Sequence, residues 1–245
     1  MVRTRGLGLV LALLLAVSGC KAPTEGPVRA ENYDSFWLWA GVKSQPVLAE
    51  ARSLYILAGE VTVHKPVHFS SRLAGPPRVK GAELWMVVRV ETLAWPAGIE
   101  EEIVTQLEKW RMAGNRVAGV QIDFDARTQH LEAYAAFLSR LRRRLPSYAK
   151  LGITGLLDWS ANGDPNGLRQ LAGTVDEVAI QTYQGRKTIL GYPAYFAKLD
   201  DFPIPFRVGL VQGGEWTEPG DLTRNPHFRG YTVFLVNPTS RDLRH

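Results

Sequence analysis

Val117–Asp125, VAGVQIDFD, turns from apolar to acidic along its length. Side chains alternate on a β-strand, so Val120, Ile122 and Phe124 share one face and Gly119, Gln121, Asp123 and Asp125 share the other. A solvated edge strand could carry such a polar face. Here long amphipathic helical patterns flank the run on both sides, and seven other strand-like runs share the chain. The arrangement this predicts has the apolar face under helices and the carboxylates at the mouth of a barrel.

The other runs are Phe36–Val42, Leu54–Glu60, Glu83–Glu91, Leu151–Trp159, Val178–Gln184, Phe206–Gln212 and Tyr231–Asn237. Each is rich in Val, Ile, Leu or aromatics, and most are bounded by Gly, Pro or Asn. Between them, Ile99, Ile103, Leu107 and Trp110 fall at helical spacing behind Glu100–Glu102. Leu131, Tyr134, Leu138, Leu141 and Leu145 form a second stripe that Pro146 ends. Asp164-Pro165 reads as an N-cap followed by proline at the first helical position, and Tyr192–Leu199 is a shorter helical candidate. Strands alternating with helices predict an α/β fold, a compact and somewhat irregular (β/α)8 TIM barrel. The irregularity is expected at Thr62–Ala82, which has three prolines and no helical pattern, and at Thr217–Phe228.

The ends of the chain bound its setting. Arg3 and Arg5, the apolar run Leu7–Val17 and then Val17-Ser18-Gly19-Cys20 have the layout of an export signal. The apolar run is too short for a helix across a bilayer core of about 30 Å. Cys20 is the one cysteine in 245 residues, so no internal disulfide forms. Val-Ser-Gly-Cys resembles a bacterial lipobox, which implies a signal over 1–19, lipid on Cys20, a flexible tether to about residue 33 and a barrel domain over 34–245. Lys21 after the cysteine implies the outer membrane, facing the periplasm. An ordinary cleaved signal with an incidental cysteine is the alternative. The formal charge is +5, and losing Arg3 and Arg5 leaves 27 basic against 24 acidic side chains. The dense run Arg142–Arg144 suits a helix C-terminus, and no motif points to nucleic acid.

Catalytic residues of such barrels stand at the C-terminal ends of the strands. The third strand then offers Trp85, Arg89 and Glu91, the fourth Gln121, Asp123 and Asp125, and the sixth Gln181 and Tyr183. An inward Arg89 needs an anion, and Asp123 is the expected one. Two residues apart on one strand, Asp123 and Asp125 have Cα atoms about 6.5–7 Å apart, and their repulsion raises one pKa. Paired carboxylates of this kind serve glycoside hydrolysis, one donating a proton and one stabilising positive charge. Asp158, beside Trp159, is read either as a substrate contact or as an Asx turn. Trp37 and Trp159 are candidate sugar platforms, with Trp39, Trp85 and Trp216 as further strand-associated rings and Glu60, Glu91 and Glu215 as reserve acids. His64 and His68 are separated by Pro66, and no metal or cofactor is expected. Gly213-Gly214 reads as a tight turn.

Gly119–Asp125 resembles the fourth-strand signature DGxDxDxE of chitinase-like family-18 glycosidases, and Gln181-Thr182-Tyr183-Gln184 resembles their sixth-strand Met-x-Tyr-Asp. The resemblance implies Asp125 at the acid position, Asp123 at the aspartate that steers the substrate N-acetyl group, and Tyr183 supporting it. The departures are Ala118 and Gln121 for two aspartates, Asp125 for the final glutamate, and Gln184 for the last aspartate. FWLWAGV at 36–42, QIDFDA at 121–126 and QTYQG at 181–185 also resemble a group of bacterial lipoproteins defined by a domain of unknown function. Beside a different hydrolase working at the same mouth, two readings stay open. One is a lipid-anchored barrel that binds and hydrolyses a glycan of the cell envelope. The other is a catalytically silent barrel that binds polysaccharide, peptidoglycan or an envelope protein. The sequence leaves the oligomeric state undetermined.

Overall fold

Eight parallel strands close on themselves in the computed structural model, which describes residues 25–128, 131–199, 201–220 and 222–238. They are β1 (Ser35–Leu38), β2 (Ser53–Val61), β3 (Glu83–Val90), β4 (Arg116–Asp123), β5 (Lys150–Leu156), β6 (Glu177–Gln181), β7 (Phe206–Val211) and β8 (Phe228–Phe234). Each pairs with its sequence neighbours, and β8 returns to β1 with Val233 opposite Phe36 and Phe234 opposite Trp37. The barrel expected from the strand count is therefore present. The segment 1–19, read as a signal, and Cys20 lie outside the described residues.

The helices form where the stripes predict them. Helix α1 (Ile99–Met112) buries Ile99, Ile103, Leu107 and Trp110, with three glutamates in its first turn. Helix α2 (Leu131–Arg144) buries Leu131, Tyr134, Leu138 and Leu141. Its basic end is held by the protein itself: Arg142 pairs with Asp176 at 2.5 Å, and Arg144 reaches Glu100 and Glu101 of α1. The four-residue α3 (Trp159–Asn162) and α4 (Pro165–Ala172) follow β5, and Asp164 caps α4 by accepting from the Asn166 and Gly167 amides. Helix α5 (Tyr192–Phe196) follows β6. Among the described residues the two segments without a helical pattern carry no α-helix: Phe69–Ser71 runs antiparallel beside β2, and a 3-10 turn, Leu222–Arg224, precedes β8.

The segment read as a tether is corrected over its second half. Gly26–Pro27 pairs antiparallel with Glu215–Trp216, and the Val28 amide donates to the Gly214 carbonyl at 2.8 Å. Val28 and Ala30 are buried. Two apolar side chains and a short ladder thus dock this strap on the barrel, where a wholly solvated linker would offer no such anchor. The turn read at Gly213-Gly214 supports the ladder, with Gly213 at φ +77°.

Apolar residues fall into two cores separated by the sheet. The outer core joins Met86, Val88, Val120 and Ile122 to the helices. The inner core fills the barrel with Trp37, Tyr55, Leu57, Trp85 and Val87. Tyr55 stacks on Trp85 at 5.4 Å and meets Trp37 edge-on at 5.9 Å. Glycines make room for these rings. A Cβ on Gly209 would stand 2.8 Å from the Trp37 ring, and one on Gly152 would stand 3.1 Å from Trp85. The N-terminal end of the barrel is closed by a polar cluster, in which the Tyr55 hydroxyl and the Arg207 guanidinium both donate to Glu177, at 2.5 and 3.1 Å.

Candidate functional site

The C-terminal end of the barrel opens into a cleft of about 730 Å³. Asp123, the last residue of β4, forms part of its floor and is 9% exposed. Thr154 of β5, on the neighbouring strand, donates its hydroxyl to Asp123 Oδ1 at 2.9 Å. Burial raises the Asp123 pKa to about 6. The Thr154 bond opposes the rise, the Asp125 charge adds to it, Arg89 opposes it and Glu60 adds to it. The carboxyl therefore reaches the middle of its titration near pH 6, closer to neutrality than an ordinary aspartate, and is mostly ionised at neutral pH.

Asp125 stands over the same cleft, but not on the strand. β4 ends at Asp123, so Phe124 and Asp125 begin the following loop and Asp125 is exposed. The expectation that both acids sit on one strand face is corrected accordingly. Alternation also breaks lower in β4, where the register with β3 shifts between Leu84 and Trp85 and Ala118 enters the inner core.

Tyr183 and Gln181 reach the cleft from β6 and the turn after it. Tyr183 opens a two-stranded hairpin with Lys187–Thr188, which bends the chain away from the barrel wall. Its phenol pKa is pushed well above the usual value by burial and then by the Asp123 charge, so it remains a hydrogen-bond donor. Arg89 is exposed at the rim, with its guanidinium 5.5 Å from the centre of the Trp39 ring. It makes no ion pair with Asp123 among the described residues, and the pairing expected between them is replaced by stacking on Trp39. The β3–β4 register sets Arg89 directly beside Asp123, close enough for its field to act on the carboxyl without contact.

Two expected sugar platforms are elsewhere. Trp37 is buried below the mouth and donates its indole N–H to Gln121 Oε1 at 2.7 Å. Trp159 is buried under the helical layer, donating to the Ala126 carbonyl at 3.1 Å and meeting the Tyr134 ring edge-on. Neither indole offers a face to a ligand in the cleft. Trp85 and Trp216 are buried as well. The ring that does line the cleft is Trp39, two residues beyond Trp37 on the same face, and Phe234 of β8 packs against it at 5.8 Å. Phe234 and Thr154 were not singled out from sequence. Among the reserve acids Glu91 lines the rim, Glu60 pairs with Arg72 at 2.6 Å, and Glu215 lies in the strap ladder. Asp158 borders a second cleft of about 590 Å³, which adjoins the first and shares Asp125, Gln181 and Tyr183 with it. Among the described residues no group of three or more His, Cys, Asp or Glu is placed to hold a metal ion, and no helix is long and apolar enough to cross a membrane.

Residues 80–192 match the model of a family described as a domain of unknown function, DUF3142. That stretch runs from β3 to the start of α5 and holds Arg89, Asp123, Asp125, Asp158, Gln181 and Tyr183. No curated protein is similar to the chain in sequence. Among solved structures, the chitinase domain of the spore coat protein CotE from Clostridium difficile is similar over 83% of this chain and 70% of its own, at 11% identity and a TM-score of 0.51. The xylanase and alpha-amylase inhibitor protein XAIP-II from Scadoxus multiflorus is similar over 82% of this chain and 92% of its own, at 11% identity and a TM-score of 0.50. The Bacillus cereus spore cortex-lytic enzyme SleL matches 72% of this chain at 17% identity and a TM-score of 0.48, and the match spans only 50% of that enzyme. At these identities the likeness carries the fold alone: a (β/α)8 barrel, found both in a chitinase domain and in an inhibitor protein.

Proposed function

We propose that the barrel mouth binds a glycan chain. The observation that carries this is the open cleft in which the Trp39 ring, a phenol, an amide and three carboxylates converge. Sugars present an apolar ring face and a rim of hydroxyls, and such a lining answers both. Two similar solved structures support the reading without deciding its chemistry, since one is a chitinase domain and the other a xylanase and alpha-amylase inhibitor protein. The direct test is a binding screen of the protein against an array of envelope and plant-type oligosaccharides, with Asp123→Ala beside the wild type. Binding to no glycan, or binding indifferent to the substitution, removes the proposal.

Hydrolysis is the second reading, and the placing of Asp123, Asp125 and Tyr183 around one cleft favours it. In that scheme Asp125 gives its proton to the leaving oxygen. Asp123 holds the substrate group that attacks the anomeric carbon as the leaving oxygen departs, and Tyr183 donates to the same group; water then attacks that carbon, frees the substrate group and returns a proton to Asp125. An aspartate is one methylene shorter than the family glutamate, and a misplacement of about 1 Å costs on the order of a hundredfold in rate. Reducing-end release from any glycan that binds, compared with the Asp125→Asn variant, separates the two readings. Release that survives the substitution excludes Asp125 as the donor, and no release in either leaves a binding barrel.

The proposed location is the bacterial envelope, with the barrel held through lipid on Cys20 at the outer membrane facing the periplasm. The support is the sequence Val17-Ser18-Gly19-Cys20 and Lys21 after it. Incorporation of labelled palmitate into the wild type and not into Cys20→Ser is the result expected.

A further inference from the structure

Three rings on one side of the mouth sit where the chain is leaving its strands. Trp39 is the first residue past β1, Tyr183 opens the short hairpin after β6, and Phe234 ends β8. All three line the cleft. Phe234 stands between the other two, 5.8 Å from Trp39 and 5.7 Å from Tyr183. The loop and the hairpin that follow Trp39 and Tyr183 are slight structures. The loop turns at Gly41, with φ +84°, and the hairpin at Gly185, with φ +59°. The hairpin pairs Lys187 with Gln184 and Thr188 with Tyr183, and so short a two-stranded ladder is marginal by itself.

Asn237, three residues past Phe234, ties the two together. Its Oδ1 accepts from the Lys43 amide at 2.7 Å, and its Nδ2 donates to the Gly41 carbonyl at 2.8 Å. Its own carbonyl accepts from both terminal nitrogens of Arg186, at the hairpin tip, at 3.0 Å each. Two glutamines seat the segment that carries it. Gln45 and Gln212 exchange amide bonds at 3.1 and 2.9 Å. Gln212 Oε1 also accepts from the Val236 amide at 3.1 Å, and Gln45 Nε2 donates to the Val236 carbonyl at 3.2 Å. Asn237 lies past the end of β8, so these bonds complete no sheet ladder. Both polar atoms of its side chain go to the loop after Trp39, and its carbonyl goes to the hairpin after Tyr183.

We infer that Asn237 is a positioning residue of the mouth, clamping the β1 loop to the β6 hairpin and so setting the spacing of Trp39, Phe234 and Tyr183 at which a sugar is received. A ligand that meets walls already in place loses less affinity to the ordering of loops. The inference rests on the proposal that the mouth binds a glycan. A residue that merely finished β8 would affect unfolding and leave the rings where they are.

The test reads ring position and affinity separately. The protein is labelled with 5-fluorotryptophan, and the Trp39 line is assigned by its loss in Trp39→Phe. In free Asn237→Ala the Trp39 fluorine line should shift or broaden, while the lines of Trp110 and Trp159, in the outer core, stay in place. Dissociation constants are then measured for the tightest-binding oligosaccharide of the array, with a β-1,4-linked N-acetylglucosamine hexamer as the first probe. The constant should rise about fivefold in Asn237→Ala, as expected for two lost hydrogen bonds that act through loop order. Arg186→Ala should raise it by a similar factor, and the double variant should be no weaker than the weaker single, because both cut one clamp. An unmoved Trp39 line overturns the inference while wild-type glycan binding stands. So does a moved line with unchanged affinity, or a shift shared by the Trp110 and Trp159 lines, which marks a general loosening. A wild type that binds no glycan removes the reading beneath it, and this inference with it.

Discussion

A carboxyl group lowered into a barrel loses its hydration, and Asp123 shows what the loss does. Its ordinary pKa of 3.8 becomes about 6, because burial outweighs the single hydroxyl that Thr154 supplies. The folded state therefore holds the proton more tightly than the unfolded chain. Stability falls as pH rises from about 4 to about 6, and above that a penalty on the order of 3 kcal/mol persists. Asp123→Asn keeps the shape and the acceptor for Thr154 but removes the charge. Urea unfolding at pH 8 is expected to show the variant more stable, by up to about 3 kcal/mol, with little difference at pH 4. Glycan affinity should drop in the same variant, since the residue that costs stability is one that lines the mouth. Thr154→Val tests the opposing bond. With the donor gone, the Asp123 carboxyl should titrate above pH 6, read by carbon-13 NMR of the labelled side chain; an unmoved midpoint would show that the bond does not hold the charge.

At the scale of strands and helices, periodicity explains both what could be read and what could not. The stripes of α1 and α2 were legible because residues three and four apart must share a buried face, as Ile103 with Leu107 and Trp110 do. The polar floor at Gln121 and Asp123 was legible for the matching reason with a period of two. Alternation gives the face of a strand but not the depth of a residue along it. Trp37 and Trp39 point the same way and differ by about 6.6 Å of rise, so one is sealed in the core and the other lines the cleft. Nor does alternation say where a strand stops, which is why Asp125 was set on β4 and belongs to the loop. The glycines opposite the rings carry no periodic signal at all, because only a closed barrel brings Gly209 against Trp37. Gly209→Ala should push that indole aside and strain its bond to Gln121, at a cost of about 1–3 kcal/mol in unfolding free energy. A red shift in tryptophan fluorescence would accompany it; an unaltered spectrum and stability would mean the interior is loosely filled.

Across the whole molecule, parallel strands give the barrel two unlike ends. All N-termini lie below, where Glu177 receives Tyr55 and Arg207, and all C-termini lie above, where Asp123, Gln181 and Tyr183 meet the cleft. The cluster below answers its own charges: burial and the Glu177 charge push the Tyr55 phenol well above its usual pKa, which keeps it a donor. Removing the carboxylate alone would leave Arg207 largely enclosed without its contacting partner, with the Asp34 charge still acting on it, and breaking a buried pair from one side costs about 3–5 kcal/mol. For a chain of this length each kcal/mol is worth roughly 2–4 °C, so Glu177→Gln should lower the melting temperature by about 6–20 °C. From Glu177 to Gln181 the strand climbs four residues, about 13 Å, with the Trp37–Gln121 layer between. Glycan affinity measured well below the melting transition should therefore stay within about twofold of the wild type. A parallel loss of affinity would mean that β6 transmits the state of its lower end to Gln181, and that stability and binding in this barrel are not divided between its two ends.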